Sequence, residues 1–422
     1  MAFDVGVSLM QMRRVVITGL GVIAPNGIGI DPFWESLVHG QSGIRKITSF
    51  DASSYPCQIA AEVPDFDPVQ FMDPKTARRL ARFAQFALAA SKMGVEDSGI
   101  NLHDIDPHRA GVIVGTGIGG GDTIENQHSI FMEKGINRLS PFGALMICTH
   151  SATGIISCEL GFKGQNTTLA SACNSGLDVI YSAFNAIRLG DADIIVAGGG
   201  EAPITPFIVG LFCANGILVR DKGNGLNAVK PFDVRGDGTV LGEGGAAVVL
   251  EELQSALKRG AKIYGEVLSY ASAQEAYSLW EIAPSEETMS RVLRNVLAKA
   301  GLRSEDIEYI NAHGNGLLKH DLNESRAIKD VFGEIACQIP VTSIKPVTGQ
   351  AFAVTGILQM ITCLLVINHS LIPPTLNHST PHAECDLDYV PNHSRRSAVN
   401  MALMNARGFG GSHTAVTVRK FR

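Results

Sequence analysis

Thr168-Leu169-Ala170-Ser171-Ala172-Cys173-Asn174-Ser175-Gly176-Leu177-Asp178-Val179-Ile180 is the stretch on which the reading of this chain turns. Small residues crowd a single cysteine, and an apolar pattern at helical spacing (Leu177, Ile180, Tyr181, Phe184, Ile187) begins directly after it. That pattern predicts a sharp turn delivering Cys173 to the start of a helix. Unpaired N–H groups and the helix dipole favour thiolate over thiol there, so Cys173 is expected to be a nucleophile. The competing reading is a buried cysteine acting as a small hydrophobe. The rest of the chain has to choose between them.

Outward from that turn, buried strands alternate with helices. Residues 13–18 read as a strand ended by Gly19-Leu20-Gly21, and Asp31 is expected to cap the next helix with Pro32 in its first turn. Residues 76–98 read as one long amphipathic helix with a face of small residues. Strands follow at 110–114 and 192–197, each ending in a run of glycines. Segments 246–251 and 263–270 read as strands around a seam near 255–262. Beyond the seam the rhythm restarts: a helix near 288–300, a strand at 307–311, a helix near 323–332, a strand at 340–343 and a core helix over 353–367. Two halves with one rhythm predict a duplicated α/β unit.

Composition narrows the function classes. The 422 residues exceed one ordinary core, and 45% hydrophobic against 18% charged residues predicts a large buried body. A formal charge of −6 supplies no basic stripe, so nucleic acid is not an expected partner. The eight cysteines include no C-x-x-C pair, which fits neither a disulfide framework nor a zinc site; a reducing cytoplasm is expected, with no metal site. The most apolar stretch, 353–367, is too short to span a bilayer and carries Gln359 and Thr362, so no membrane partner is expected. Residues 1–12 lack a basic region and a cleavage pattern, and are expected to be an extension, either a leader or a stretch upstream of a start at Met12.

Two motifs point towards a nicotinamide enzyme. Gly19-x-Gly21-x-x-Ala24 and Gly115-x-Gly117-x-x-Gly120 both match the dinucleotide fingerprint after a strand. However, Pro25-Asn26-Gly27 breaks the helix that should receive the pyrophosphate, and neither motif is followed by the expected acidic strand end. Three other stretches hold what a cysteine nucleophile needs. Asn311-Ala312-His313-Gly314 puts a histidine at the C-terminal end of a strand, where α/β proteins place chemistry. Ser343-Ile344-Lys345-Pro346-Val347-Thr348-Gly349-Gln350 offers a lysine and an amide at matching height. Gly408-Phe409-Gly410-Gly411 can bring backbone N–H groups against a ligand.

Those three stretches share the chain with Val15-Val16-Ile17-Thr18-Gly19-Leu20-Gly21-Val22, Ala172-Cys173-Asn174-Ser175-Gly176, and Pro231-Phe232-Asp233 through Gly242-Glu243-Gly244. In this order, from Arg13 onward, the chain resembles the β-ketoacyl-acyl carrier protein synthases of the thiolase superfamily, most closely the elongating type II fatty-acid and polyketide ketosynthases. The resemblance implies a thiolase fold of five αβαβα layers, with one half over 13–258 carrying the cysteine and the other over 259–422 carrying the His/Gln pair and a gating loop. It implies an acyl carrier protein partner, substrates on its phosphopantetheine arm and no bound cofactor. It also implies a homodimer, or a heterodimer with a ketosynthase-like subunit. By position, Cys173 would take the acyl group, His313 and Gln350 would face it, and Lys345 and Glu324 would be a supporting charged pair. The N–H groups of Cys173 and Phe409 would form the oxyanion hole, with Phe409 as gate. Ile118, Phe212, Asn315, Leu317, Arg407 and His413 would line the acyl or pantetheine pocket.

Four departures carry information. The family's second catalytic histidine is replaced by Gln350, and the threonines that hold its pantetheine arm by Asn315 and Leu317. Its Gly-Gly-Thr-Asn run is Gly410-Gly411-Ser412-His413 here, and the phenylalanine two residues before the gate is Arg407. A glutamine amide donates N–H bonds but carries no titrating proton. Three outcomes therefore stand open: decarboxylative condensation by an atypical Cys-His-Gln set, acyl transfer without decarboxylation, or a non-catalytic partner like a chain-length factor.

Overall fold

The computed structural model describes residues 12–221, 223, 225 and 227–422; the expected extension lies outside them except for Met12. The first strand, β1 (Val15–Ala24), is buried throughout and does not stop at its glycines. A Cβ on Gly19 would stand 2.1 Å from the Gly94 carbonyl oxygen, and one on Gly21 only 1.9 Å from that of Ala90. These glycines let the helix α1 (Arg82–Ser98) lie directly on the strand, so the first dinucleotide-like motif is a packing device. The expected 76–98 helix is broken at Ala81, whose extended backbone (ψ 154°) starts α1, and a separate turn spans Pro74–Ala77. Asp31 is not a cap: the helix over Ile30–Val38 begins after Gly29, with Asp31 in its first turn.

The remaining strands of the central sheet are β2 (Ala110–Gly115), β3 (Asn166–Leu169), β4 (Ile194–Glu201), β5 (Gly244–Glu252), β6 (Gly265–Gln274), β7 (Tyr309–Asn311), β8 (Val341–Thr342), β9 (Met401–Gly408) and β10 (Ser412–Arg419). They lie in the order β8-β7-β9-β10-β6-β1-β5-β4-β2-β3, with Gly27–Ile28 paired beside β1. Each set of five repeats one plan. In the first, β3, β2 and β4 are parallel while β5 and β1 are antiparallel; in the second, β8, β7 and β9 are parallel while β10 and β6 are antiparallel. The sets join where Val15 of β1 pairs with Val267 of β6.

The helices that fill the layers are α2 (Ser151–Leu160), α3 (Ser175–Arg188), α4 (Pro206–Asn215), α5 (Glu287–Ala300), α6 (Leu318–Phe332) and α7 (Phe352–His369). Helices α1 and α2 cover one outer face, α5 and α6 the other, and α3 with α7 form the middle layer. This is the duplicated αβαβα stack of a thiolase fold. Helix α7 is long and apolar enough to cross a bilayer, but 89% of its apolar window is buried here. Each fully buried leucine or isoleucine in it contributes about 1.5–3 kcal/mol relative to exposure.

The two middle helices meet at glycine. A Cβ on Gly176 of α3 would stand 2.1 Å from the Ala353 carbonyl oxygen, and Gly356 of α7 faces the backbone of Leu177. Both helices are entered through left-handed residues without glycine's freedom, Ala172 (φ 53°) and Phe352 (φ 38°). Cys173 follows the first of these and Gln350 precedes the second, so both entrances serve one place.

Candidate active site

Ala172–Asn174 forms a 3-10 turn leading into α3, and Ser175 stitches it. The Ser175 hydroxyl accepts from the Ser171 N–H (2.8 Å) and donates to the Ala172 carbonyl (2.7 Å). The turn holds the Cys173 side chain inside, at 8% exposure. Burial pushes the thiol up to about 11, although the Gln350 side-chain amide and the Lys345 ammonium draw it down. This corrects the expectation of a resting thiolate: at this helix start, desolvation outweighs the favourable dipole. Alkylation of Cys173 by iodoacetamide, read by peptide mapping, is expected to rise about tenfold per pH unit to a plateau near pH 11. A plateau below pH 8 would show that burial does not control this sulfur.

His313 leaves the end of β7 in a loop held from both sides. The Glu324 carboxylate accepts from the N–H groups of His313 (2.7 Å) and Gly314 (2.8 Å) and from the Asn405 side-chain amide (2.6 Å). The Lys345 ammonium donates to the His313 carbonyl oxygen. The expected Lys345–Glu324 pair is thus not a direct contact: the two charges grip opposite ends of one peptide segment. Burial lowers Lys345 to about 8, against the raising influence of Glu324 and Cys173. The ring Nδ1 of His313 accepts from the Arg407 backbone N–H (3.3 Å), so the ring proton sits on Nε2. Burial first, then Lys345, holds the imidazole well below its usual range, and it is neutral. Such a ring donates a hydrogen bond to a developing oxyanion without first titrating.

Cys173, His313 and Gln350 border one chamber together with Phe212, Asn315, Leu317, Arg407 and Phe409, all named from the sequence. The Gln350 side chain borders the chamber with the sulfur and helps to lower its pKa, while Oε1 has no partner among the described residues. The chamber opens to a vestibule of about 480 Å³, walled by α4, the 279–282 segment and the Gly408–Gly411 turn. Phe409 is half-exposed in that turn, its ring 6.2 Å from Phe212, which is 5.6 Å from Phe352. The Asn174 side-chain amide donates to the Ser412 hydroxyl (2.9 Å), tying the Cys173 turn to the hairpin of β9 and β10.

The structure places three of the expected pocket residues more closely. Ile118 is not among the residues bordering this chamber but packs beside it in the apolar cluster of Cys173 and Phe352, where Glu201 pins the Gly117–Ile118 backbone N–H groups. That carboxylate fills the place a pyrophosphate would need, so the second dinucleotide-like motif is closed as well. His413 also stands back, its Nε2–H donating to Glu275 (2.8 Å). Asn315 uses part of its amide internally, accepting from the Leu317 N–H (3.1 Å) and donating to His320 Nδ1 (3.1 Å), which leaves one N–H and one lone pair at the chamber wall.

The sequence reading missed His320, Glu275 and Glu201. His320 borders the chamber and the vestibule from the first turn of α6, and that helix begins five residues before its expected start. Glu275 sits just past β6 and meets partners more than 130 residues away, a relation no local pattern carries. Glu201 ends β4 in plain view after three glycines; burial raises it to about 7, and only that burial marks it.

A buried thiol, a neutral imidazole donor and a carboxamide border one chamber in an αβαβα stack, the architecture of a thiolase-fold enzyme. Residues 12–256 match the family model for the N-terminal domain of beta-ketoacyl synthase, and residues 264–379 match that for its C-terminal domain. The chain belongs to the β-ketoacyl synthase family. It is 40% identical to 3-oxoacyl-[acyl-carrier-protein] synthase 2 of Synechocystis sp. over 98% of this chain and 99% of that one. The enzyme of the same name from Coxiella burnetii is also 40% identical, over 98% and 100%. Among solved structures, a type II PKS ketosynthase in complex with its acyl-carrier protein and bound to the hexaketide superposes with a TM-score of 0.90 at 32% identity, covering 97% of this chain and 100% of that one. The ishigamide ketosynthase/chain length factor gives a TM-score of 0.91 at 33% identity, with the same coverage.

Proposed function

We propose that this protein elongates acyl chains by decarboxylative condensation, using Cys173, His313 and Gln350. The Cys173 sulfur attacks a carrier-protein thioester; a new S–C bond forms, and the pantetheine thiol leaves with the proton from Cys173. The N–H groups of Cys173 and Phe409 hold the oxyanion. A malonyl carrier protein then enters, its C–CO₂ bond breaks, and the electron pair is held as an enolate whose oxygen faces His313 Nε2–H and the Gln350 amide. Carbon dioxide leaves, the carbanion attacks the acyl carbon, and the S–C bond breaks to restore the sulfur. Lys345 and Glu324 act through the His313 peptide. The convergence of sulfur, imidazole N–H and carboxamide on one chamber with a wide vestibule carries this reading.

The substrates ride on the phosphopantetheine arm of an acyl carrier protein, and no further cofactor is required. We place the protein in the cytoplasm as a two-chain assembly, its chain divided into halves over 13–258 and 259–422. The pairing is supported by the unpaired edge of β3 and by exposed Ile124, Phe131, Met132 and Leu145 on the helical segments before it. Acyl transfer without decarboxylation is the second reading, favoured by one observation: Gln350 stands where the family keeps a histidine.

Intact mass after mixing with acyl carrier protein is expected to show an acyl adduct on Cys173, and native mass two chains. Carbon dioxide release from malonyl carrier protein is expected above background and higher still in Gln350→His. An adduct without release would establish the second reading, and no adduct would defeat both.

A further inference from the structure

Arg407 stands two residues before Phe409, and it is 8% exposed. It borders both the catalytic chamber and the vestibule. Its Nη2 donates to Glu275 Oε1 at 2.8 Å, while its Nη1 has no partner. Glu275 has little left to give, since Oε1 also accepts from His413 and Oε2 accepts from the Ala283 N–H (3.1 Å). The ion pair cancels the charge, so what remains is a buried N–H donor without an acceptor, a state that folded proteins avoid unless something arrives to meet it.

The place of that donor tells what it would meet. The Arg407 backbone N–H is bonded to His313 Nδ1, so its main chain lies beside the ring whose other nitrogen carries the proton assigned above to the thioester oxygen, and its side chain borders the same chamber. Phe212, Leu317 and Phe409 around it are apolar, and Asn315 is partly occupied internally. We propose that the Arg407 guanidinium, with its unsatisfied donor capacity, binds an oxygen on C3 of the acyl thioester. This deepens the condensation reading and rests on it. Two substrates carry such an oxygen: the malonyl unit, as its carboxylate, and a 3-oxoacyl chain, as its ketone. A saturated chain offers none and leaves the donor unmet.

Arg407→Met combined with Glu275→Gln keeps the volume and strands neither charge. In the full-length protein, loading of Cys173 from 3-oxooctanoyl and octanoyl carrier protein is compared, alongside carbon dioxide release from malonyl carrier protein. A fall of about 10-fold or more in the 3-oxooctanoyl to octanoyl loading ratio would put the oxygen on the incoming chain. The same fall in malonyl turnover relative to octanoyl loading would put it on the extender carboxylate. If both ratios stay within about 2-fold of the unaltered protein, the assignment is wrong. Arg407→Lys keeps the charge beside Glu275 but loses the forked donor, and should shift the same ratio if the double variant does not fold. Should the unaltered protein load no acyl group, the condensation reading fails first. Calorimetry with 3-oxooctanoyl- and octanoyl-pantetheine then decides Arg407 separately, equal affinities overturning it.

Discussion

His313→Ala lowers carbon dioxide release from malonyl carrier protein by about 10²–10³-fold, while Cys173 still accepts acyl groups. The asymmetry follows from the tautomer. Because Nδ1 is taken by the Arg407 N–H, the ring has only its Nε2 proton to offer and no free lone pair for the thiol. It serves the enolate oxygen and not the sulfur. The ring is held neutral, well below its ordinary range, and Nε2 keeps its proton in either charge state, so release should not lose this donor between pH 8 and pH 6. Intact mass reads loading, and trapped carbon dioxide reads decarboxylation. An equal fall in both would make the imidazole the base for Cys173 and reverse the assignment.

Glu324→Ala is expected to cost about 3–5 kcal/mol of stability, measured by chemical denaturation, because it uncouples a buried charge. Three N–H donors lose their acceptor at once, from His313, Gly314 and Asn405. The Lys345 ammonium loses the carboxylate that raises its pKa, so it drops further below about 8 and deprotonates nearer neutrality. As Lys345 also helps to draw the Cys173 thiol down, the thiol rises in the same variant. Glu324→Gln keeps one acceptor oxygen and should lose less. A negligible change in Glu324→Ala would mean that water takes over all three bonds.

What could be read in advance depended on whether a property is local. Cys173 announced itself because small residues and a helical pattern meet within thirteen positions, and His313 because a strand ends one turn before it. The state of the thiol was not legible: the helix start is in the sequence, but the depth at which the turn is buried comes from α7, encoded nearly two hundred residues later. Gly19 and Gly21 looked like a loop because glycine spacing alone cannot distinguish a phosphate from the backbone of α1 as the close neighbour. The relation of Lys345 to Glu324 escaped for a similar reason, since position shows that two charges are near one histidine but not that they hold its N–H and C=O sides. Arg407 on β9, His413 on β10 and Glu275 just past β6 meet through the pairing of those three strands.

The glycine contact between α3 and α7 bears on how the site tolerates change. Gly176 lies three residues after the sulfur and Gly356 six after the carboxamide, and main-chain atoms touch there without a side chain between them. Alignment across the cleft is therefore fixed by two rods in direct abutment, not by the groups that face the substrate. Substituting those groups is therefore expected to leave the gap they look across at its present width. The scaffold acts as a gauge block into which different donors are fitted.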